Sequence, residues 1–387
     1  MTITTAGLFS GVGGLELPFA RRGASPELLC ENWGPARAVL AHRFPEAELH
    51  GDVADLSALP ERLDVVAAGF PCTDLSQAGR TAGIRGRDSG LVSHVFRLIR
   101  RGRARWLVLE NVRNMLVLDR GGAMDFLTGE LESLGFAWAY RTVDSRFSGV
   151  PQRRHRVLFV ASREEDPRGV LFADEAGPPD AASAREDAFG FYWTEGLRGL
   201  GWARDAVPPL KGGSGVGIPS PPGVWRPGAA PGRRLATPAI EDAEALQGFS
   251  RGWTDAARDG RREGARWKLV GNAVTVGVAE WLAERLLAPG AAALPARPLD
   301  RTKGWPEAAF GHAGAAFAVE ASHWPRRAPR RHLSDLLEEA RLTPLSYRAA
   351  SGFLSRARQG RLRFDPRFIA DVEAHVALTA PRPLAAE

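Results

Sequence analysis

The sequence predicts an α/β fold built on a parallel, doubly wound sheet, and three observations predict it. Short apolar runs alternate with helix-like segments over the first 165 or so residues, the pattern of strands joined by crossover helices. A glycine turn, Gly11-Val12-Gly13-Gly14, joins the first run to the first helix. The residues able to do chemistry follow directly on the apolar runs, where ligands collect in such a sheet.

Taken in order, Ile3–Phe9 reads as a strand and Leu15–Arg22 as the helix that follows it. Leu28–Cys30 is a second strand, with a helix through Ala36–Arg43. Leu63–Ala68 is a third strand, Val92–Arg100 a helix and Trp106–Leu109 a fourth strand. Residues 124–134 are helical in pattern, and Ala137–Val143 with Arg156–Val160 close the alternation as a last pair of strands. Near Arg163 the composition shifts to glycine and proline, with Trp193, Trp202 and Trp225 spread through a stretch of no period, which predicts a loop-rich module. Residues 238–247 and 273–288 return to helix, the second through an apolar stripe of Val274, Val278, Trp281, Leu282 and Leu286. After Pro289 comes a Pro/Ala linker, then a basic segment with two or three helices, among them His332–Ala340 and Arg348–Arg358. The expected organisation is therefore 1–165, 166–233, 234–290 and a C-terminal extension, 300–387, with no internal repeat.

A chain of 387 residues with 44% hydrophobic and 25% charged residues is an ordinary globular protein with a real core. Its net charge of +6 suits a polyanionic partner. Lysine occurs only at 211, 268 and 303, so the excess is arginine, a bias that GC-rich coding also produces. Cys30 and Cys72 form no CxxC pair and no Cys/His cluster at zinc spacing, which argues against a disulfide scaffold or a metal and suits a reducing cytoplasm. The N-terminus lacks the pattern of a signal peptide and no apolar stretch spans a bilayer, which argues against a membrane role.

Five signals carry chemistry, the glycine turn and Glu31 counting as one. Glycines in the first turn let a ligand approach the backbone at a helix N-terminus, although any tight strand-to-helix junction uses the same residues. Glu31 follows the second strand about twenty residues later, where a carboxylate accepts ribose hydroxyls; a solvated loop acid is the plainer alternative. Gly69-Phe70-Pro71-Cys72 follows the third strand. A lone cysteine is most often a small buried hydrophobe, and Cys30 reads that way. Cys72, however, stands between a proline and the polar, Gly-rich stretch Thr73–Gly90, which reads as a loop that closes over a substrate. Glu110-Asn111-Val112 ends the fourth strand, bringing an acid to the same edge as Cys72 or merely capping the turn. Gln152, Arg154 and Arg156 alternate in QRRHR and so share one face of a strand, suiting phosphate or a carbonyl oxygen if they are not a solvated face. Finally, Asn272 in GNAV is placed to cap the following helix.

Each signal is weak alone, but their order is specific. GLFSGVGG, Glu31, Gly51-Asp52-Val53, GFPC, ENV, QRRHR, LATPAIEDAEALQGF and GNAV together resemble the DNA cytosine-5 methyltransferase family over residues 1–165 and 234–290. The resemblance implies a Rossmann-like, S-adenosylmethionine-dependent methyltransferase sheet, a target-recognition region over 166–233, and no metal. It implies that Phe9, Gly11, Gly13 and Gly14 contact S-adenosylmethionine, that Glu31 holds its ribose and Asp52 with Val53 its adenine, and that Leu91, Asn272 and Val274 complete the pocket. Cys72 would be the nucleophile, with Glu110, Arg156 and Arg154 on the cytosine, and Ser76, Arg80, Arg85, Arg87 and Gln152 would contact DNA. The implied partner is double-stranded DNA, met by a monomer in a bacterial cytoplasm, with a cognate restriction enzyme or another defence-system protein as companion. Two positions depart from the family pattern, neither of them a reacting group: Gly7 stands where an acid commonly opens the first motif, which bears on one cofactor-side contact, and Thr73 replaces a frequent glutamine, which bears on the loop.

Three other readings compete. The same chemistry on RNA would not need the module of about seventy residues between the two motif blocks. A non-catalytic nucleic-acid binder would not need both Cys72 and Glu110. A dinucleotide oxidoreductase would carry GxGxxG after its first strand, which is lacking.

Overall fold

A computed structural model describes residues 3–70, 90–212, 220–260 and 263–381. The chain divides into two compact units: Met1–Ser148 with Arg154–Pro178 and Ala273–Ala328, and Gly149–Arg153 with Pro179–Asn272 and Pro329–Glu387. Among the described residues no helix is long and apolar enough to cross a membrane.

The first unit holds the strands β1 (Thr4–Leu8), β2 (Ser25–Cys30), β3 (Glu48–His50), β4 (Leu63–Ala68), β5 (Ala104–Val112), β6 (Ala137–Asp144) and β7 (His155–Ser162). Between them run the helices α1 (Leu17–Ala20), α2 (Gly34–Arg43), α3 (Leu91–Arg101) and α4 (Gly122–Ser133). With the later strands β12 (Ala296–Pro298), β13 (Ala308–His312) and β14 (Ala315–Val319), they form one sheet of order β12-β14-β13-β6-β7-β5-β4-β1-β2-β3. The half from β3 to β5 is parallel. β4 is apolar but for Asp64, whose carboxylate accepts from Thr4 N at 2.9 Å, as suits a strand covered on both faces.

Beyond β5 the all-parallel expectation fails: β7 runs antiparallel to both neighbours. Residues 145–154, between β6 and β7, contain a single 3-10 turn, Ser145–Ser148. That is too short for the helical crossover a parallel partner requires. β3 and the hairpin β13–β14 were not predicted, because a polar Glu-Leu-His and an Ala/Gly-rich stretch carry little alternation.

Both faces of the sheet are covered. Ala6, Leu8, Val66, Ala68, Leu107 and Leu109 point to one core, which α3 and α4 complete through Val95, Ile99, Met124 and Leu127. The alternate residues Val65, Ala67, Trp106 and Val108 point to the other core. There they meet Phe19 of α1, α5 (Arg168–Leu171) and α8 (Val276–Leu287), whose Val278, Trp281, Leu282 and Leu286 realise the predicted stripe.

The second unit has its own antiparallel sheet, ordered β15 (Thr343–Pro344), β11 (Leu235–Thr237), β10 (Gly223–Trp225), β8 (Phe189–Phe191) and β9 (Ala203–Arg204). Helices α6 (Ile240–Leu246), α7 (Gly264–Asn272), α9 (Leu333–Leu336), α10 (Tyr347–Gln359) and α11 (Pro366–Thr379) belong to it. Phe189, Phe191 and Trp225 pack against Phe353 and Phe368, with Trp202 and Phe364 alongside. The expected extension 300–387 is thus not one piece. Residues 308–319 lengthen the large sheet, and 329–381 supply core to the second unit.

Candidate active site

Three strands of the first unit end in register at one edge of the sheet, and a fourth, β5, runs on past them. Leu8 pairs with Cys30 on one side and Ala68 on the other, and Ala68 pairs with Leu109. The residues that follow are the glycine turn, Glu31, Gly69-Phe70 and Glu110-Asn111. Segments far apart in sequence are thereby brought to one edge, at the point where β1 and β4 lead their connections in opposite directions.

On the β5 side, Glu110 is still within the strand, because β5 continues to Val112 by pairing with β7: Glu110 opposite Leu158, Asn111 opposite Val157, Val112 opposite Arg156. Arg156 Nε stands 2.8 Å from Glu110 Oε1, with the two side chains only 13% and 10% exposed. Its Nη1 also donates to the His155 carbonyl at 2.8 Å. The other carboxylate oxygen of Glu110 faces Gly69, where an added Cβ would lie 3.7 Å from it. Asn111 Nδ2 donates 3.0 Å to the Phe70 carbonyl. The backbone that enters Pro71-Cys72 is therefore tied to the acid-bearing strand. Cys72 itself, with Ser76, Arg80, Arg85 and Arg87, lies outside the described residues.

On the β1 side, the turn is built on left-handed backbone. Gly11 has φ +56° and Gly13 φ +80°, and Phe9 adopts φ 57°, a conformation rare for a bulky residue and costly unless its surroundings enforce it. Gly14 is buried where the turn leads toward α1. A Cβ on Gly13 would lie 2.2 Å from the Phe44 ring, whereas one on Gly11 would meet nothing within 4 Å. Glu31 accepts from Gly11 N through Oε2 and from Trp33 N through Oε1, both at 2.9 Å. Asp52 Oδ1 accepts from Ala54 N at 2.9 Å, Val53 is buried, and Leu91 packs half-buried on the same core. Open space over Gly11, a carboxylate fixed beside it and a buried acid below, Glu16, fit a cationic nucleoside cofactor.

Three expectations need correction. Gln152 and Arg154 precede β7, so the alternation of one strand face does not apply to them. Gln152 is fully buried, donating to the Leu246 carbonyl and Gln247 and accepting from Leu210 N, all inside the second unit. Its amide is spent on the core, which withdraws it as a DNA contact. Arg154 is 1% exposed and donates to the Ala273 carbonyl at 2.9 Å, a setting different from that of Arg156. Asn272 does not cap α8: it is the last residue of α7 and is exposed, and Thr275 takes the N-cap position with its hydroxyl 2.9 Å from Ser145 Oγ. Val274 packs in the core of the first unit. Cys30 is 2% exposed, as expected of a structural thiol, and burial with Asp52 and Glu31 nearby pushes its pKa up to about 11.

Comparison with known proteins fits this edge. The model of the family described as C-5 cytosine-specific DNA methylase matches residues 3–184. The Type II methyltransferase M2.BsuMI of Bacillus subtilis (strain 168) is 46% identical over 379 residues, covering 95% of this chain and 96% of that one. The Type II methyltransferase M.BanI of Aneurinibacillus aneurinilyticus is 32% identical over 177 residues, 44% of this chain and 41% of its own. The crystal structure of S. pombe Dnmt2 methyltransferase covers 74% of this chain and 98% of its own at TM-score 0.54 and 13% identity, a likeness of fold.

The fold is thus the Rossmann-like sheet of the S-adenosylmethionine-dependent methyltransferases. The chain belongs to the C-5 cytosine-specific DNA methylase family and is a DNA (cytosine-5-)-methyltransferase.

Proposed function

We propose that this enzyme methylates C5 of a flipped-out cytosine in a specific duplex DNA sequence, using S-adenosylmethionine and a covalent bond between Cys72 and C6. The observation that carries the reading is the Glu110–Arg156 pair, set beside the strand end that leads into Cys72 and tied to it through Asn111 and Phe70.

Cytosine C5 is a poor nucleophile. Addition of the Cys72 thiolate to C6 forms the S–C6 bond and shifts the ring electrons to C5. Glu110, hydrogen-bonded to N3 and the exocyclic amine, stabilises the charge that develops on the ring. Arg156 orients that carboxyl and reaches the O2 side of the base. S-adenosylmethionine, when bound, supplies the methyl group as an electrophile on a sulfonium. Loss of the C5 proton then lets Cys72 leave and restores the aromatic ring. Because C6 cannot be reached within a stacked duplex, the base must leave the helix, at a cost of roughly a few kcal/mol. Arginines 80, 85 and 87 with Ser76 suit the phosphates flanking it, and binding should weaken steeply with salt.

The glycine turn with Phe9, Glu31, Asp52, Val53 and Leu91 is assigned to the cofactor. The region 166–233 is assigned to sequence recognition. The Type II names of the relatives support a restriction–modification setting, with a cognate restriction enzyme as companion and bacterial genomic DNA as substrate. Bisulfite sequencing of DNA from cells expressing the protein tests the whole reading. One recurrent sequence with protected cytosines is expected, and unprotected DNA beside methylated tRNA from the same cells would overturn it in favour of RNA.

A further inference from the structure

The first motif lacks its acid at position 7, yet the structure holds a carboxylate at that place. A Cβ on Gly7 would fall 2.1 Å from Glu16 Oε1 and 2.4 Å from Ser10 Oγ. Glu16, between the glycine turn and α1, therefore fills the volume a residue-7 side chain would need. It is 2% exposed, and its Oε2 has no hydrogen-bond partner among the described residues. Burial above all pushes its pKa up to about 7, and the nearby acid Glu31 adds to the rise. An ionised carboxylate kept from water without a counter-charge is unfavourable. Such a group beside a ligand turn is a functional candidate when the ligand brings the missing charge.

We propose that Glu16 is the carboxylate that recognises the α-ammonium of the cofactor's methionine moiety, supplied from the start of α1 in place of an acid on β1. The inference rests on the cofactor assignment above. It explains two sequence facts together: why Gly7 has no side chain, and why an acid interrupts the apolar run Leu15-Glu16-Leu17. An acid at either position would serve, but not both, since the Gly7 site is already filled.

The test uses isothermal titration of the full-length chain with two probes: S-adenosylhomocysteine, which carries the ammonium, and its deaminated analogue, which does not. Wild type should prefer the former by about 10- to 100-fold, the worth of a charge-assisted hydrogen bond. Glu16→Gln keeps the shape and should erase most of that preference while leaving affinity for the deaminated probe nearly unchanged. Gly7→Asp combined with Glu16→Leu moves the acid back to β1 and should restore the preference. Because each preference is a ratio within one protein, a general loss of stability does not imitate it. A preference unchanged in Glu16→Gln, equal loss for both probes, or no preference in wild type would overturn the assignment of Glu16 alone. Failure of wild type to bind either probe would overturn the cofactor reading with it.

Discussion

Asn111 holds Phe70 by a buried 3.0 Å hydrogen bond from its amide to the carbonyl that precedes Pro71-Cys72. The bond crosses from β5 to the end of β4, so the strand that carries Glu110 also sets where the proposed nucleophile's segment begins. Asn111→Leu should leave that carbonyl unsatisfied, destabilising the fold by about 1–3 kcal/mol. Turnover should fall further than stability accounts for, with S-adenosylhomocysteine affinity retained. Urea unfolding and single-turnover methylation measure the two effects separately.

Glu110→Gln keeps volume and hydrogen bonding but removes the charge partner of Arg156. Methyl transfer should drop by about 10²–10⁴-fold, the usual weight of a positioned acid–base group, while cofactor affinity stays within about threefold of wild type. Arg156→Ala leaves a largely buried carboxylate without its guanidinium and should cost about 3–5 kcal/mol of stability as well. Rapid-quench assays beside thermal melts distinguish the two variants.

The two positive-φ glycines should respond differently to alanine. Gly11→Ala strains only the backbone, by about 1–2 kcal/mol, since nothing lies within 4 Å of the new methyl. Gly13→Ala adds a collision with the Phe44 ring, 2.2 Å away, and should destabilise more. Phe44→Leu in the Gly13→Ala background should recover part of the loss. Chemical denaturation of the three variants beside wild type orders them.

Stability should fall on both sides of mild acidity, for opposite reasons. Burial raises Glu16 from 4.5 to about 7, so the native state binds more protons than the unfolded chain between those values and stability declines as pH rises through them. Glu307 goes the other way. Burial alone would raise it, but His323, 3.4 Å away, and Arg113, whose Nε lies 2.8 Å away, hold its carboxyl well below the usual range. That stability is present above the ordinary carboxylate pKa, about 4, and is lost as pH falls below it. Glu16→Gln should flatten the upper limb and Glu307→Gln the acid limb, read from melting temperatures of the unliganded enzyme between pH 3 and about 8.

What the sequence disclosed depends on how each residue earns its place. β4 was legible to the residue because Leu63–Ala68 is apolar at every position but Asp64. β2 was found only at Leu28–Cys30, since its first half, Ser25-Pro26-Glu27, has the composition of a loop. The direction of β7 was not legible, because strand alternation is the same in either sense. At the site, Glu31, Glu110 and Arg156 were found because each follows or enters an apolar run. Gln152 was misplaced because its partners Leu246, Gln247 and Leu210 are distant in sequence, and a buried amide has no local signature. Asn111 was read as part of a motif without its task. Glu16 was passed over, although an acid inside an apolar run, downstream of a motif missing its own, was the available signal.

The central claim is that a sulfur–carbon bond forms between Cys72 and the pyrimidine. Duplex DNA carrying 5-fluorocytosine at the recognised position tests it most directly, because fluorine cannot leave C5 as a proton does. With S-adenosylmethionine present, mass spectrometry of the digested complex should find the methylated fluoropyrimidine attached to Cys72, and nothing attached in Cys72→Ser. An enzyme active on ordinary cytosine that releases the fluorinated duplex intact, or that is trapped through another residue, would contradict the account.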